Sequence, residues 1–427
     1  MVTSIGIVGS GVAGLHLGLL LRAHGIAVTI YTDKTAEQVA SGRLLNTVAH
    51  HHHTLERERE LGVHHWDADE YGYVCHQHCV VGGPPEPLRF RGDFEHPSSI
   101  IDYRLYLPRL MADYQERGGE LVVRAVELSE LQDLSRDHDL MVIATGRGSL
   151  GELFPRRGDR SPYDKPQRRL SAGIYNGVRY SEPKGVGVHM SLGNGELLEL
   201  PITSRDGFAT ALLFESVPGG DFEALADTRY EDDPAAFDRL VLEKLEKHFP
   251  MCFERVDHDA FGLMGPADII QGAITPTVRE DYARLGNGKM ALAVGDVHCL
   301  VDPVNGQGTN AASYSAWTAG QAILDDYGLD ERFCKRVARE REAFVLGVSD
   351  WTNLILNPQP HVVELLMAMA QSKPLCDRYT QNFNHPDRQW DALATPQRTA
   401  EFMARHSGVA GSPRRQVRDR PGGHRAD

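Results

Sequence analysis

Paired cysteines are missing from this sequence. The six that it has, at 75, 79, 252, 299, 334 and 376, contain no C-x-x-C and follow no regular spacing. That excludes a thiolate metal ribbon and a redox dithiol, and it reads as reduced thiols of a cytoplasmic protein rather than a disulfide framework. Long apolar runs are missing too: the longest apolar stretch, Leu15 to Leu21, is far short of the roughly 20 residues that span a bilayer. The first strand begins within four residues of the N-terminus with no basic segment before it, so no signal peptide is expected. Positive charge is scarce, with 45 Lys+Arg against 59 Asp+Glu and a formal net charge of −14. The one basic cluster, Arg414 to Arg420, lies in the tail. Neither a nucleic-acid surface nor a membrane surface is expected. No G-x-S-x-G occurs, so a serine nucleophile elbow is not indicated. Histidines are plentiful (50 to 53, 64, 65, 76 and 78), but consecutive ones point in different directions. No H-x-x-x-H with a carboxylate partner is present, and no metal site is expected.

What is present begins at once. Ser4 to Asp33 reads strand, G-x-G-x-x-G turn, apolar helix, second strand and acidic end, in that order. Gly9 permits the tight turn, Gly11 lets a pyrophosphate approach the backbone next to Ala13, and Gly14 lets helix and strand pack closely. The pyrophosphate then sits on the unpaired N–H groups of the helix N-terminus. Asp33 follows the glycines at the distance that suits a ribose hydroxyl. A second formal G-x-G-x-x-G, from Gly146 to Gly151, is broken by Pro155 and opens no second βαβ unit, so it is not read as a nicotinamide site.

Farther along, Arg43 is a fixed cation within reach of a phosphate, and Asn46 offers a neutral donor and acceptor. From these residues alone, a surface arginine and a turn asparagine are the favoured reading. Tyr71 to Arg91 reads as a short hairpin or lid, and Ile100 to Tyr114 as a helix with Arg104 near its start, in which Pro108 implies an irregular first part or a later helix start. From Gln167 to Gly265 short strands with turn residues suggest an antiparallel sheet. Lys289 to Trp317 returns to a nucleotide-binding pattern, in which Asp296 can accept from a ribityl-type hydroxyl and the turn Pro303 to Gly308 opens a helix. Its first residues, Gly308, Thr309 and Asn310, present free N–H groups and a positive dipole to an anion such as a reduced flavin ring. Trp351 and Trp390 read as core or interface anchors.

GSGVAG, IATG146 and GD296 followed by DPVNGQGTN resemble the flavoprotein monooxygenases of the para-hydroxybenzoate hydroxylase fold. RLLNTVAH, VDPVNGQGTNAASYSAW and NFNHPDRQWD narrow the resemblance to the oxygenase component of two-component styrene monooxygenases, up to about residue 405. Asn46, Val48, His50, Tyr73, His76 and Ser98 look like the styrene-type pocket set rather than the indole-type one. The W-x-W-x-I-P signature of flavin-dependent halogenases, another family using externally reduced FAD, is absent. The segment Pro84 to Arg91, the histidines at 51 to 53 and the basic tail depart from the family pattern.

The resemblance implies an α/β fold with a Rossmann-like FAD-binding domain (1–166 and 266–345), an inserted mainly antiparallel β-sheet substrate domain (167–265), C-terminal helices (346–407) and a disordered tail (408–427). Residues 51–98 are expected to contribute to the substrate pocket. It also implies FAD, bound as FADH2 with O2 as co-substrate, delivered by an NADH-dependent flavin reductase. The substrate would be a small aromatic alkene, epoxidised to the (S)-oxide through a C4a-hydroperoxyflavin. An indole monooxygenase of the same fold and an FADH2-dependent halogenase are the competing readings. Asn46 and Arg43 take catalytic roles on this reading. Val48, His50, Tyr73, His76 and Ser98 shape the pocket or its support. The cofactor set is Gly9, Gly11, Ala13, Gly14, Asp33, Arg43, Arg104, Gly146, Asp296, Pro303, Gly306, Gly308, Thr309 and Asn310. A homodimer is expected.

Overall fold

The computed structural model describes residues 4–83, 86–146, 148–325 and 328–408. The turn prolines 84 and 85, Arg147, and the tail with its arginine cluster therefore lie outside the described residues.

One layer is a six-stranded sheet. Its strands are β1 (Ser4–Val8), β2 (Ala27–Thr32), β5 (Glu120–Val123), β6 (Leu140–Ile143), β14 (Tyr282–Arg284) and β15 (Met290–Ala293). They run in the order β14-β15-β6-β1-β2-β5, all parallel except the edge strand β14. Ile5 and Ile7 of β1 and all of β6 are buried, as expected for strands covered on both faces. The Val12–Ala23 helix is buried on almost every side. The long Gly308–Asp325 helix approaches it through Gly320, where a methyl group would come within 2.4 Å of Leu20. The fold class read from the sequence is the one observed.

The second sheet draws its strands from three separated stretches. They are β3 (Gly72–Val81) and β4 (Leu88–Ser99), then β7 (Arg169–Asn176), β8 (Gly185–Ser191), β9 (Gly195–Ser204) and β10 (Gly207–Ser216), and finally β11 (Gly262–Leu263) and β12 (Ile269–Ala273). The order is β11-β7-β10-β9-β8-β3-β4, with β12 also on β7, and every pair is antiparallel except β3 with β8. The hairpin read at Tyr71 to Arg91 is present, but it is corrected from a short hairpin or lid to a long one. These residues belong to a long hairpin built into the sheet, because Cys75 and Cys79 are wholly buried and β3 pairs along its length with β8. A small two-stranded sheet pairs β13 (Thr277–Val278) with β16 (Cys299–Leu300).

The expected irregular start of the next helix is corrected as well. Tyr103–Glu116 is one helix with Pro108 inside it, begun by the Asp102 carboxylate accepting from Arg104 N at 2.9 Å. The cap and the buried face outweigh the single backbone hydrogen bond that proline removes.

Helices from Glu331 to His406 form the third part of the molecule. Trp351 is fully buried there with its ring edge-on to Phe383 at 4.8 Å, the core role expected for it. These helices close on β4 through Gly92, where a methyl group would lie 2.7 Å from the Cys376 carbonyl oxygen and 2.0 Å from Thr380 Oγ1. No helix among the described residues is long and apolar enough to cross a membrane.

The Gly92 contact gives a stability prediction. Gly92→Ala should destabilise the chain by about 1–3 kcal/mol through overpacking, read as a lower urea midpoint. An unchanged midpoint would show that the helices do not press on β4 there.

Candidate active site

One cavity of ≈ 1630 Å³ runs between the two large sheets. Drug-sized pockets occupy roughly 300–1,000 Å³, so there is room for a ligand well above that size. At one end is the glycine turn. A methyl group on Gly9 would meet the Ala144 carbonyl oxygen at 2.5 Å, and one on Gly14 would meet the Gly9 oxygen at 1.9 Å, so both positions demand glycine. Gly11, by contrast, faces open space, and the helix it precedes has no side-chain cap and no acid in its first turn. Its N–H groups are therefore available to an anion. Ala13, Asp33 and Gly146 line the same end.

The second helix start stands opposite. Gly295, in the left-handed region, places the Asp296 turn against Ala13, with a methyl group at 295 coming within 3.1 Å of Ala13 Cβ. The turn Pro303–Asn305 ends in left-handed Gly306, and the Gly308–Asp325 helix follows with no acid in its first turn. Asp296, Pro303, Gly306, Gly308 and Thr309 all line the cavity. Added methyl groups at Gly306 and Gly308 would meet nothing within 4 Å. A planar anionic ligand has a free face to rest on.

Beyond these glycines the cavity passes under the second sheet. The lining residues alternate along each strand, with His76, His78 and Val80 from β3, Val186, Val188 and Met190 from β8, and Leu198 and Leu200 from β9. Period-two alternation puts them on one face, which makes an apolar ceiling. Val48 and Tyr73 line it too, and Phe383 and Met369 come from the C-terminal helices. The His76 ring meets Phe383 edge-on at 4.5 Å and Phe94 at 4.9 Å. Burial, with His78 and His51 nearby, holds His76 well below the usual histidine range, so the chamber is uncharged there.

Not every expected site residue reaches the cavity. Arg104 does not: its guanidinium is buried against Asp102 and Asp268, with Nη2 2.6 Å from Asp268 Oδ1 and Nη1 donating to the Ala267 carbonyl at 3.1 Å. Its nitrogens are spent on joining the Tyr103–Glu116 helix to the 267–268 loop, so its cofactor assignment is withdrawn. The Asn310 side chain is likewise spent on the wall, which leaves only its backbone N–H for the helix start. Its Oδ1 accepts from His51 N at 3.0 Å and the Thr54 hydroxyl at 2.7 Å, and its Nδ2 donates to the Ala49 carbonyl at 3.0 Å. Ser98 and His50 also stand behind the wall. Ser98 Oγ is 3.0 Å from His51 Nδ1, and His50 Nδ1 donates to Glu58 at 2.7 Å. Arg43 lies on the rim, exposed and ion-paired with Glu231. Asn46 lines the cavity; its Oδ1 accepts from Val48 N at 3.4 Å, and its Nδ2 has no protein partner among the described residues.

Two lining histidines escaped the sequence reading. His51 is buried, its Nε2 has no partner among the described residues, and burial beside His50 brings its pKa down to about 3. His78 is stacked on Phe90 at 4.7 Å, also without a hydrogen-bond partner among the described residues, with burial bringing it to about 3. A run of four histidines gives no sequence signal of which one points inward. Only the register of a bridge between His50 and Ser99 settles it.

Behind the wall lies a closed polar network centred on Glu58. Tyr106 donates to Glu58 at 2.7 Å, His16 Nε2 lies 2.8 Å from the Tyr106 oxygen, and His16 Nδ1 lies 3.1 Å from the Ser313 hydroxyl. Arg57 donates to Ser313 at 2.8 Å and to Thr54 at 3.0 Å, and Tyr103 joins His50 to Thr309. Burial opposes charge on Glu58, but His50 beside it holds the carboxyl well below the usual range.

Relatives decide the family. The chain is 44% identical over 405 residues to a styrene monooxygenase StyA from Pseudomonas sp., covering 94% of this chain and 97% of that protein. The chain belongs to the styrene monooxygenase family. A second StyA, from Pseudomonas fluorescens, is 43% identical over 408 residues, covering 94% of this chain and 98% of its own length. Residues 146–255 match the family described as "Styrene monooxygenase A putative substrate binding domain". A flavin-dependent brominase shares the fold at a TM-score of 0.63 and 16% identity, covering 94% of this chain and 100% of its own. A probable FAD-dependent monooxygenase from Pseudomonas aeruginosa does so at 0.57 and 16%, covering 94% and 99%. At such identities the likeness concerns the fold alone. Within the styrene monooxygenase family, the residues present here fit FAD: an uncapped helix start and a second helix start with no acid in its first turn face one cavity beside glycines whose missing side chains leave it open.

The Glu58 network predicts a pH-dependent stability. A carboxyl depressed in the folded state contributes fully above its unfolded pKa of about 4.3, and that contribution falls away as pH drops toward the folded value. Glu58→Gln should cost roughly 3–5 kcal/mol at neutral pH. The gap from wild type, measured by urea unfolding, should narrow by about pH 3.5. An equal gap at both pH values would show that Glu58 carries no depressed pKa.

Proposed function

We propose that this chain is the oxygenase component of a two-component monooxygenase that epoxidises styrene and related aryl alkenes to the (S)-oxide. In this reading it uses FADH2 supplied by a separate NADH-dependent flavin reductase, and it works in the cytoplasm as a homodimer. The observation that carries the reading is the continuity of one cavity from a dinucleotide-type glycine turn to an uncharged, apolar and aromatic chamber. Reduced FAD, when bound, supplies the electrons and activates O2.

The residues then divide the work. Gly9, Gly11, Ala13 and Gly14 hold the pyrophosphate on backbone N–H groups, and Asp33 accepts from a ribose hydroxyl. Asp296 and the turn Pro303 to Gly306 hold the linking chain, with Gly146 forming the wall between the two ends. The helix start at Gly308 and Thr309 offers N–H groups and a positive dipole to an anionic ring. Arg43 contributes a positive charge at the rim once it leaves Glu231. The Asn46 amide N–H, otherwise unpartnered, donates to the oxygen being transferred. An alkene has no charge and no strong hydrogen-bonding group, so its binding rests on area and shape. Val48, Tyr73, His76 and Phe383 supply both and keep water away from the reacting oxygen. His50 and Ser98 hold the wall from behind.

Two experiments test this. The purified chain, mixed with FAD, NADH, an independent flavin reductase and styrene, should yield styrene oxide that depends on the reductase, with the (S)-form dominant by chiral chromatography. Hydrogen peroxide alone, or a strong preference for indole in a parallel reaction, would move the substrate assignment. Asn46→Ala should lower epoxide formed per NADH consumed while oxidised-FAD affinity stays nearly unchanged; unaltered coupling would remove Asn46 from the reaction.

A further inference from the structure

We propose that His52, His53 and Glu56, at the start of the His52–Leu61 helix, form a binding site for a divalent transition-metal ion such as zinc. None of the three lines the flavin cavity. Each can offer one ligand atom, and those atoms all lie within 4.8 Å of one another. The helix explains why adjacent histidines converge here. Glu56 sits four residues after His52 and three after His53, and residues at both spacings are neighbours on a helix surface. Its carboxylate therefore stands between the two rings, with His52 Nε2 3.3 Å from Oε1 and His53 Nδ1 2.6 Å from Oε2. A search for H-x-x-x-H misses this H-H-x-x-E arrangement. Two imidazoles and one carboxylate suit zinc, nickel or copper rather than calcium or magnesium, which want oxygen alone. Water completes the shell.

The surroundings provide an independent reason to expect a ligand. A ligating imidazole must be neutral, and its second nitrogen is ordinarily fixed by a hydrogen bond. With Nδ1 turned to Glu56, His53 points Nε2 at His385 Nε2, 3.4 Å away. His385 Nε2 is placed to accept the His53 N–H. His52 is stacked on His96, with ring centroids 4.0 Å apart and planes 17° from parallel.

An ion at this site would fasten the His52–Leu61 helix to the segment carrying His385. His51 and Phe383, one and two residues from these ligands and partners, both line the cavity. The ion would therefore brace the outside of the chamber wall.

The test uses the full-length, tag-free chain after treatment with a chelator, titrated calorimetrically with zinc chloride. The proposal predicts saturable binding of one ion per chain, lost in His52→Asn and in Glu56→Gln, and about tenfold weaker in His385→Gln. Wild type should melt at a higher temperature with zinc than with chelator, and the first two variants should not. All three variants should match wild type in chelator, which separates loss of the site from loss of the fold. Absence of saturable binding in wild type would overturn the proposal. So would affinity unchanged in both His52→Asn and Glu56→Gln.

Discussion

The site depends on a buried carboxylate that never enters it. Glu58 cannot stay charged in the interior without partners, and its partners are what fix the wall. His50 is held by Glu58 and touches Tyr103, whose hydroxyl joins Thr309 at the start of the Gly308–Asp325 helix. Through Tyr106, His16 and Ser313 the same network reaches the second turn of that helix. Asn310 then ties the helix start to the backbone of His51. The N–H groups at Gly308 are thereby set in place before any ligand arrives, at no reorganisation cost during the reaction.

The nucleotide half was legible because its constraints are local. A strand, three glycines and a helix must be contiguous to make the turn, and the geometry at Gly9 and Gly14 shows why no other residue would serve. The parallel sheet follows from strands that are apolar throughout, such as Leu140–Ile143. The family resemblance was equally visible in motifs spread along the chain, and relatives at 43–44% identity bear it out.

What could not be read depends on partners distant in sequence. Nothing near Arg104 announces that Asp268 will take its guanidinium. Nothing in a four-histidine run says that His51 faces the cavity, His50 the core, and His52 and His53 the outside. Alternation in β3 was hidden because its cysteines and histidines lack a clear apolar-polar contrast. The C-terminal helices were expected, but their supply of Phe383 and Met369 to the chamber arises from tertiary packing alone.

On the proposed function, the helix start at Gly308 and Thr309 is a fixed positive face for an anionic ring. The measurement that tests this most directly is anaerobic titration of the chain with FAD in each redox state. The reduced, anionic form should bind more tightly than the oxidised, neutral form, and raising the salt concentration should not abolish the difference, because the buried helix end is poorly screened. Equal affinity for both forms, or tighter binding of oxidised FAD, would contradict a positive face at that helix start.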